Sequence, residues 1–330
     1  MTFELKRTRL REKTTVFLIP LVLLFLVGTG ASSLYAGSAG QATAEVLRLG
    51  AGAEHPAMGG AGVASVSGAP ALQYNPAGLA ADYRMDVDFT YQRMVEDINY
   101  GNFNFMSELG ADEFIGLGLG YLDYGSVDRV EFSGDILQTS GSFTGMDLVG
   151  QAGYGRRWGN ISAGINAKII RLEIDDNAKT ARAVDFGLLW RSGREEYPLS
   201  LGLALANLGS KVQGEDDGHE DELPATFRLG LSYDIPQVLG NNFRVDLDME
   251  NQLESGEIGF LGGIQWNPIE RLALRTGYDD NLDVDGGLTA GAGFEFAEGM
   301  KFDYAYVPYG DFGNLHRFSF GFSLGANDNE

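Results

Sequence analysis

Residues 243–250 read Phe243-Arg244-Val245-Asp246-Leu247-Asp248-Met249-Glu250, an unbroken alternation of apolar and charged side chains. Successive side chains of a β-strand point to opposite faces, so as a strand this stretch has one wholly apolar and one wholly charged face. A helix would mix the two, because its period brings residues three and four apart onto one side. The same two-residue period sets Val184, Phe186, Leu188 and Trp190 against Asp185, Gly187, Leu189 and Arg191. It also sets Leu272, Leu274, Thr276 and Tyr278 against Arg271, Ala273, Arg275 and Gly277. From residue 84 onward the chain is a succession of such runs, separated by Gly, Asn, Asp and Pro clusters, which is the strand signal.

The runs fall near residues 84–96, 98–108, 113–124, 144–157, 159–173, 180–191, 197–208, 223–235, 241–253, 256–267, 269–278, 286–297, 299–308 and 314–324. Fourteen is an even number, as a single-chain bacterial transmembrane barrel requires, and each run is long enough to cross a bilayer when tilted. The connections sort by length. Tight links are expected after the fourth, tenth and twelfth strands, at Gly159-Asn160, Asn267-Pro268 and Glu298-Gly299. Longer polar stretches follow the third, seventh, eleventh and thirteenth, the longest at 125–143 and 209–222. Short periplasmic turns and longer outer loops belong to a membrane barrel; a soluble sandwich has no reason to sort them. The expected fold class is therefore all-β, a transmembrane antiparallel β-barrel. Tyr304, Tyr306, Tyr309, Phe318, Phe320 and Phe322 suit lipid-facing or interfacial positions. His316, Phe318, Phe320, Phe322 and Leu324 form the outer face of the closing strand, and a polar tail follows where many such barrels end on an aromatic residue.

Ahead of the barrel, Lys6, Arg7, Arg9, Arg11 and Lys13 precede an apolar stretch at 16–27 and small residues at 28–39. That is the pattern of a secretory signal peptide, and its apolar part is too short for a spanning helix. Leu34-Tyr35-Ala36 and Gly37-Ser38-Ala39 both offer cleavage sites. The expected organisation is a signal at 1–36, an N-terminal plug or hatch at 37–83, the barrel at 84–325 and a polar tail at 326–330. Export without spanning helices leaves the periplasm or the outer membrane. The chain has no cysteine, which excludes disulfides, thiolate metal sites and a lipidated N-terminal cysteine. Without the signal, which takes five basic and two acidic residues, 19 basic side chains stand against 44 acidic ones, a net charge of −25. Such a surface repels nucleic acid and suits wet loops and a wet lumen.

Residues 47–80 are unlike the rest. They are rich in Gly and Ala, carry Pro56, Pro70 and Pro76, and show no alternation. Too apolar for a solvated tail, the segment is expected to fold inside the barrel, where its backbone groups find partners in the lumen wall. Asn75 is placed to cap a short turn with Pro76 at its first position, where no N–H is needed, and Gly78 is expected to limit that turn. Gly116, Gly118 and Gly120, then Gly153 and Gly155, then Gly291 and Gly293 each share one strand face, and strand glycines mark close backbone approach. They are the expected seat of the plug, or else sites of sharp barrel curvature.

Three stretches resemble the N-terminal signature of the PorV/PorQ-type outer-membrane proteins, which belong with the FadL-like barrels. They are Leu49-Gly50-Ala51-Gly52-Ala53, Pro56-Ala57-Met58-Gly59-Gly60-Ala61-Gly62-Val63-Ala64 and Tyr74-Asn75-Pro76-Ala77-Gly78-Leu79. Trp266-Asn267-Pro268-Ile269 followed by Leu272-Ala273-Leu274-Arg275-Thr276-Gly277-Tyr278 is similar to that family's late hairpin. Glu54-His55 stand where the family often has a basic residue. The resemblance implies a 14-stranded barrel with an N-terminal hatch, whose plug or gate motif would be Met58, Gly59, Gly60, Asn75, Pro76, Ala77, Gly78 and Leu79. It implies a non-enzymatic outer-membrane component of type IX secretion, with exported proteins or other secretion components as partners. The alternative is a FadL-like channel for hydrophobic small molecules, in which an apolar pocket should run beside the hatch.

No catalytic residue, metal site or cofactor is expected. His55, His219 and His316 are scattered through plug, loop and last strand. Residues 215–222 read as a solvated acidic loop. Asp279, Asn281 and Asp283 begin like a calcium loop, but Val284 stands in place of the required Gly and Ala290 in place of the bidentate Glu. Gly116-Leu117-Gly118-Leu119-Gly120 and Gly50-Ala51-Gly52 complete no dinucleotide fingerprint. Arg244, Asp246, Asp248 and Glu250, with Arg271 and Arg275, are expected to form a charge network in the lumen that ties wall to plug.

Overall fold

The computed structural model describes residues 43–94, 97–133, 136–175, 177–193, 198–213, 220–238, 241–282, 287–308 and 313–326. The signal segment, residues 215–218, His219, Asp283, Val284, Tyr309 and the tail residues 327–330 lie outside them.

The alternating runs are strands: β1 (Tyr83–Arg93), β2 (Asn99–Gly110), β3 (Glu113–Ser133), β4 (Ile136–Trp158), β5 (Ile161–Ile174), β6 (Asn177–Arg191) and β7 (Leu199–Gly209). They continue as β8 (Thr226–Val238), β9 (Asn241–Gln252), β10 (Ile258–Ile269), β11 (Leu272–Asp279), β12 (Leu288–Ala297), β13 (Met300–Pro308) and β14 (Asn314–Ala326). Each pairs antiparallel with the next. β1 then closes on β14, from Tyr83↔Ala326 to Arg93↔His316. Closure leaves no sheet edge, so outside a few register shifts the backbone groups of the wall find partners next door, the condition for crossing lipid.

The alternation turns inside out relative to a soluble protein. Phe186, Leu188 and Trp190 are exposed while Asp185 and Leu189 are buried, and Leu274 is exposed while Arg275 is buried. Phe103, Leu119, Leu148, Ile169, Leu201, Leu229, Ile264 and Phe318 continue the outer surface around the barrel. An apolar surface of that extent fits lipid rather than water. Among the described residues no helix is long and apolar enough to cross a membrane; strands make the crossing.

Two connections differ from expectation. The polar stretch at 125–143 is no loop: β3 and β4 run on as a paired hairpin to Ser133↔Ile136, so length is carried as strand. An Arg129–Asp175 ion pair ties this hairpin to the end of β5. At the other rim, Asn267-Pro268 is no turn but a register shift inside β10 between Trp266 and Ile269. Pro268 has no N–H to give a ladder, so it sits where the ladder is interrupted, and the reversal falls at Glu270 and Arg271. Between β7 and β8, the two-residue strands Val212–Gln213 and Glu220–Asp221 pair with each other, and Gln213 pairs with Thr180 of β6.

The plug fills the lumen as short turns: Glu45–Leu47, Pro56–Met58, Pro76–Leu79 and one α-helical turn, α1 (Ala71–Tyr74). Its start packs with Tyr100, Leu122, Ile170, Leu172 and Val212 in an apolar cluster towards the rim of the long loops. Val66, Leu72, Tyr74 and Leu79 pack with Met106 and Phe114 in a second cluster, towards the rim that carries the barrel's chain ends.

Candidate functional site

Along β3 to β8 the plug rests on glycines. A Cβ on Gly153 would come within 2.6 Å of Leu72, and one on Gly155 within 2.9 Å of Leu79, with Gly116 facing the same pair. Gly164 and Gly187 abut Asn75, Pro76 and Ala77, and Gly202 and Gly230 abut Val63 and Ala64. Farther round, Gly263 and Gly277 abut Met58 and Gly291 abuts Ala57. Gly118, Gly120 and Gly293 do not touch the plug. They give room to lumen side chains, namely Asn104 with Gln151, Asn102, and Asp303 with Arg275.

Asn75 has extended backbone (φ −159°) and its side chain accepts from Ala77 N at 3.1 Å, capping the turn that Pro76 opens. Its Nδ2 donates to Val63 O at 2.8 Å and to Leu188 O of β6 at 3.1 Å. One side chain thereby ends a turn, joins two plug segments and ties both to the wall. Gly78 does not limit the turn, which runs through to Leu79. Its missing side chain serves packing instead, because a Cβ there would lie 2.6 Å from Val66 O. Gly59 and Gly60 adopt left-handed φ of 68° and 80°, which glycine takes without steric cost. Gly59 N donates to Thr289 Oγ1 at 3.0 Å, and a Cβ on Gly59 would collide with the Tyr278 backbone.

Across the lumen, β9 to β14 and β1 meet the plug with polar groups. Asp248 accepts from Gly62 N at 2.7 Å and Val63 N at 2.9 Å, and Asp246 accepts from Ser65 Oγ at 2.8 Å. Thr90 takes Gly52 N at 2.7 Å, Ser319 takes Ala53 N at 2.9 Å and Asp86 takes Ala69 N at 2.7 Å. Apart from the Ser65 hydroxyl these are plug N–H groups that wall side chains satisfy, and a buried donor left unpaired costs about 1–3 kcal/mol.

Glu54 is the charged knot of this half. Its carboxylate lies 2.6 Å from Arg244, 3.4 Å from Arg275 and 3.6 Å from Lys301. Arg244 also holds Asp246 at 3.1 Å and Arg275 holds Asp303 at 2.5 Å. Burial raises the Glu54 pKa, but Arg275, Arg244 and Lys301 outweigh it and hold the carboxyl well below its ordinary range. Burial pushes the neighbouring His55 down. That ring contacts Ala61 O through Nδ1 at 3.2 Å and packs on Tyr74 at 4.6 Å between centroids.

Of the six residues expected in the charge network, Arg244, Asp246, Asp248, Glu250 and Arg275 face inward. Glu250 pairs with Arg228 rather than with the plug. Arg271 is exposed at the β10–β11 reversal, outside the network. The sequence reading passed over Lys301, Asp303, Asp86, Asp88 and Thr90. Their signal was present: Asp86, Asp88, Thr90 and Gln92 alternate with Val87, Phe89 and Tyr91 just as residues 243–250 alternate.

Below Glu54, a cavity of about 830 Å³ opens at the chain-end rim, between Tyr83, Glu298, Gly299, Leu324 and Gly325. Its walls include Glu54, Arg244, Arg275, Lys301, Asp303, Asp86 and Asp88. A smaller one of about 370 Å³ lies beside it against Ser65, Arg191, Asp234 and Arg244.

Residues 39–254 match the family model described as type IX secretion system protein PorV. No curated protein matches the sequence. Among solved structures, the toluene transporter TodX of Pseudomonas putida aligns with a TM-score of 0.57 and 13% identity, over 84% of this chain and 98% of that one. The toluene transporter TbuX of Ralstonia pickettii aligns at 0.56 and 13%, over 83% and 98%. At such identities the likeness is one of fold.

Proposed function

This chain belongs to the PorV family of type IX secretion system proteins, and from that premise we propose that it serves in the outer membrane as a docking or transport component for exported proteins. Its barrel is the membrane anchor and its plug a structural seal, with residues 1–36 read as the export signal removed on the way. No chemistry is assigned to it, since the family acts without catalysis. The observation that carries the reading is the filling of the lumen. The plug is bonded to opposite walls, and the two cavities described beside it carry carboxylates, guanidinium groups and hydroxyls among their lining, with Ala51, Pro70, Tyr83 and Leu324 as apolar or aromatic parts of the larger one.

The alternative, a channel for hydrophobic small molecules like those named for the aligned transporters, would use an apolar path past the plug. Charged walls oppose such a path, because stripping a buried charge of its solvation costs several kcal/mol. Purification from the native envelope in mild detergent, followed by mass spectrometry, separates the two. Exported proteins sharing a C-terminal domain should travel with the chain; hydrophobic small molecules without protein partners would instead make it a channel.

A further inference from the structure

Six carboxylates and three cations line the larger cavity, and the three cations do not balance it. Arg244 is held by Glu54 and Asp246, and Arg275 by Glu54 and Asp303. Lys301 is the most loosely paired of the three. It is 3.6 Å from Glu54 with its side chain 43% exposed, and it lies along Gly321, where a Cβ would meet its Cε at 2.7 Å.

On the far side of Gly321, in register with Lys301, stands Asp88. Asp86 and Asp88 are 5% and 2% exposed, and no described cation forms an ion pair with either. Asp86 is satisfied by Ala69 N at 2.7 Å and Ser323 Oγ at 2.7 Å. Asp88 is not. Its Oδ1 accepts from Thr90 Oγ1 at 2.9 Å, while its Oδ2 lies beside Gly52 on the cavity wall, 3.8 Å from where a Cβ of Gly52 would stand. A carboxylate oxygen of a residue only 2% exposed that opens onto a cavity is free to take a hydrogen bond there, and a cation is held by it more strongly than water is.

We propose that this cavity is a binding site for an alkylammonium or guanidinium group entering from the periplasm, with Asp88 as its main contact and Asp86 beside it. The volume lies in the range that takes small ligands, about 300–1,000 Å³. No three described His, Asp or Glu side chains converge as a metal site, which points to an organic cation. Such a group is carried by a free polyamine and equally by a lysine or arginine side chain of a peptide. Lys301 is the internal competitor: its ammonium, paired with Glu54, lines the same cavity from β13.

The test uses the full chain in detergent micelles, titrated calorimetrically with spermidine and, separately, with a short lysine-containing peptide, at low and high ionic strength. Saturable binding at low ionic strength is expected, weakened about tenfold or more by Asp86→Asn with Asp88→Asn. Lys301→Gln should tighten binding clearly more than Lys211→Gln, outside the cavity, does, because nonspecific attraction to an acidic protein would respond to both changes alike. Glu254→Gln, exposed at the opposite rim, should leave it unchanged. Binding of spermidine alone would identify the free polyamine as the source, and binding of the peptide a basic side chain. No saturable binding, binding untouched by the double Asn variant, or weakening on Lys301→Gln would each overturn the proposal. A thermal unfolding profile like that of the parent chain certifies that each variant has folded.

Discussion

Along β3 to β8 the wall meets the plug mainly through glycines and apolar side chains, with Asn166 donating to Leu72 O at 2.9 Å, whereas along β9 to β14 and β1 carboxylates, hydroxyls and guanidinium groups join the glycines Gly263, Gly277 and Gly291. The first contact is steric and close. The strength of its glycine contacts is dispersion and shape, which depend little on pH or salt. The second is electrostatic and directional, and a cavity opens beside it. One half therefore fixes where the plug sits, and the other fixes under what conditions it stays.

The comparison is sharpest at Glu54. Glu54→Gln leaves Arg244 and Arg275 with one carboxylate each and Lys301 with none in contact, and breaking a buried pair from one side costs about 3–5 kcal/mol. Hydrogen exchange at Gly52, Ala53, Gly62 and Val63 should accelerate accordingly, while exchange at Ala77 and Leu79 changes little. The same residue sets a pH dependence. Its folded pKa is depressed by the three cations, so its stabilisation is complete above the ordinary value of 4.5 and is lost as pH falls from there through the folded value. Protection of the plug should hold from neutral pH to that point and drop below it, and Glu54→Gln should remove this part of the drop.

The glycine half breaks differently. Gly164→Val drives a side chain into the Pro76 carbonyl group, an overpacking expected to cost about 1–3 kcal/mol at all pH values; heat-dependent mobility on gels reports it. Asn75→Ala removes the cap and both wall and plug donations, also about 1–3 kcal/mol, and the loosened seal should raise ion conductance in planar bilayers. Smallest is Leu188→Ala on the outer face, where lipid replaces the lost contacts and less than about 1 kcal/mol is expected.

The strands were legible because a barrel wall obeys one rule everywhere: a period of two with lipid on one side. Residues 243–250 carry it whole, and strand ends fell within a few residues except where a strand outran the membrane. The β3–β4 hairpin was read as a loop because, in water on both faces, alternation no longer has an inside and an outside to report. The plug's existence was legible in its glycines and prolines, but not its path, since a segment without period has no face to assign. Asn75 and Pro76 could be read as a cap because capping is local. Glu54, Asp86, Asp88 and Lys301 could not be placed together, because their meeting depends on register across β13, β14 and β1, which no single stretch encodes.

The unequal strands have a mechanical consequence. β3 and β4 have 21 and 23 residues, while β11 and β13 have 8 and 9. A tilted strand of eight residues covers roughly 20 Å along the membrane normal, short of the apolar band of about 25 Å that outer-membrane barrels present. Lipid beside β11 and β13 must thin or the barrel must lean, at a fraction of a kcal/mol per Å of mismatch. The mismatch thus falls directly outside the strands that hold Arg275 and Lys301, away from the flank where β3 and β4 carry the wall well past the membrane.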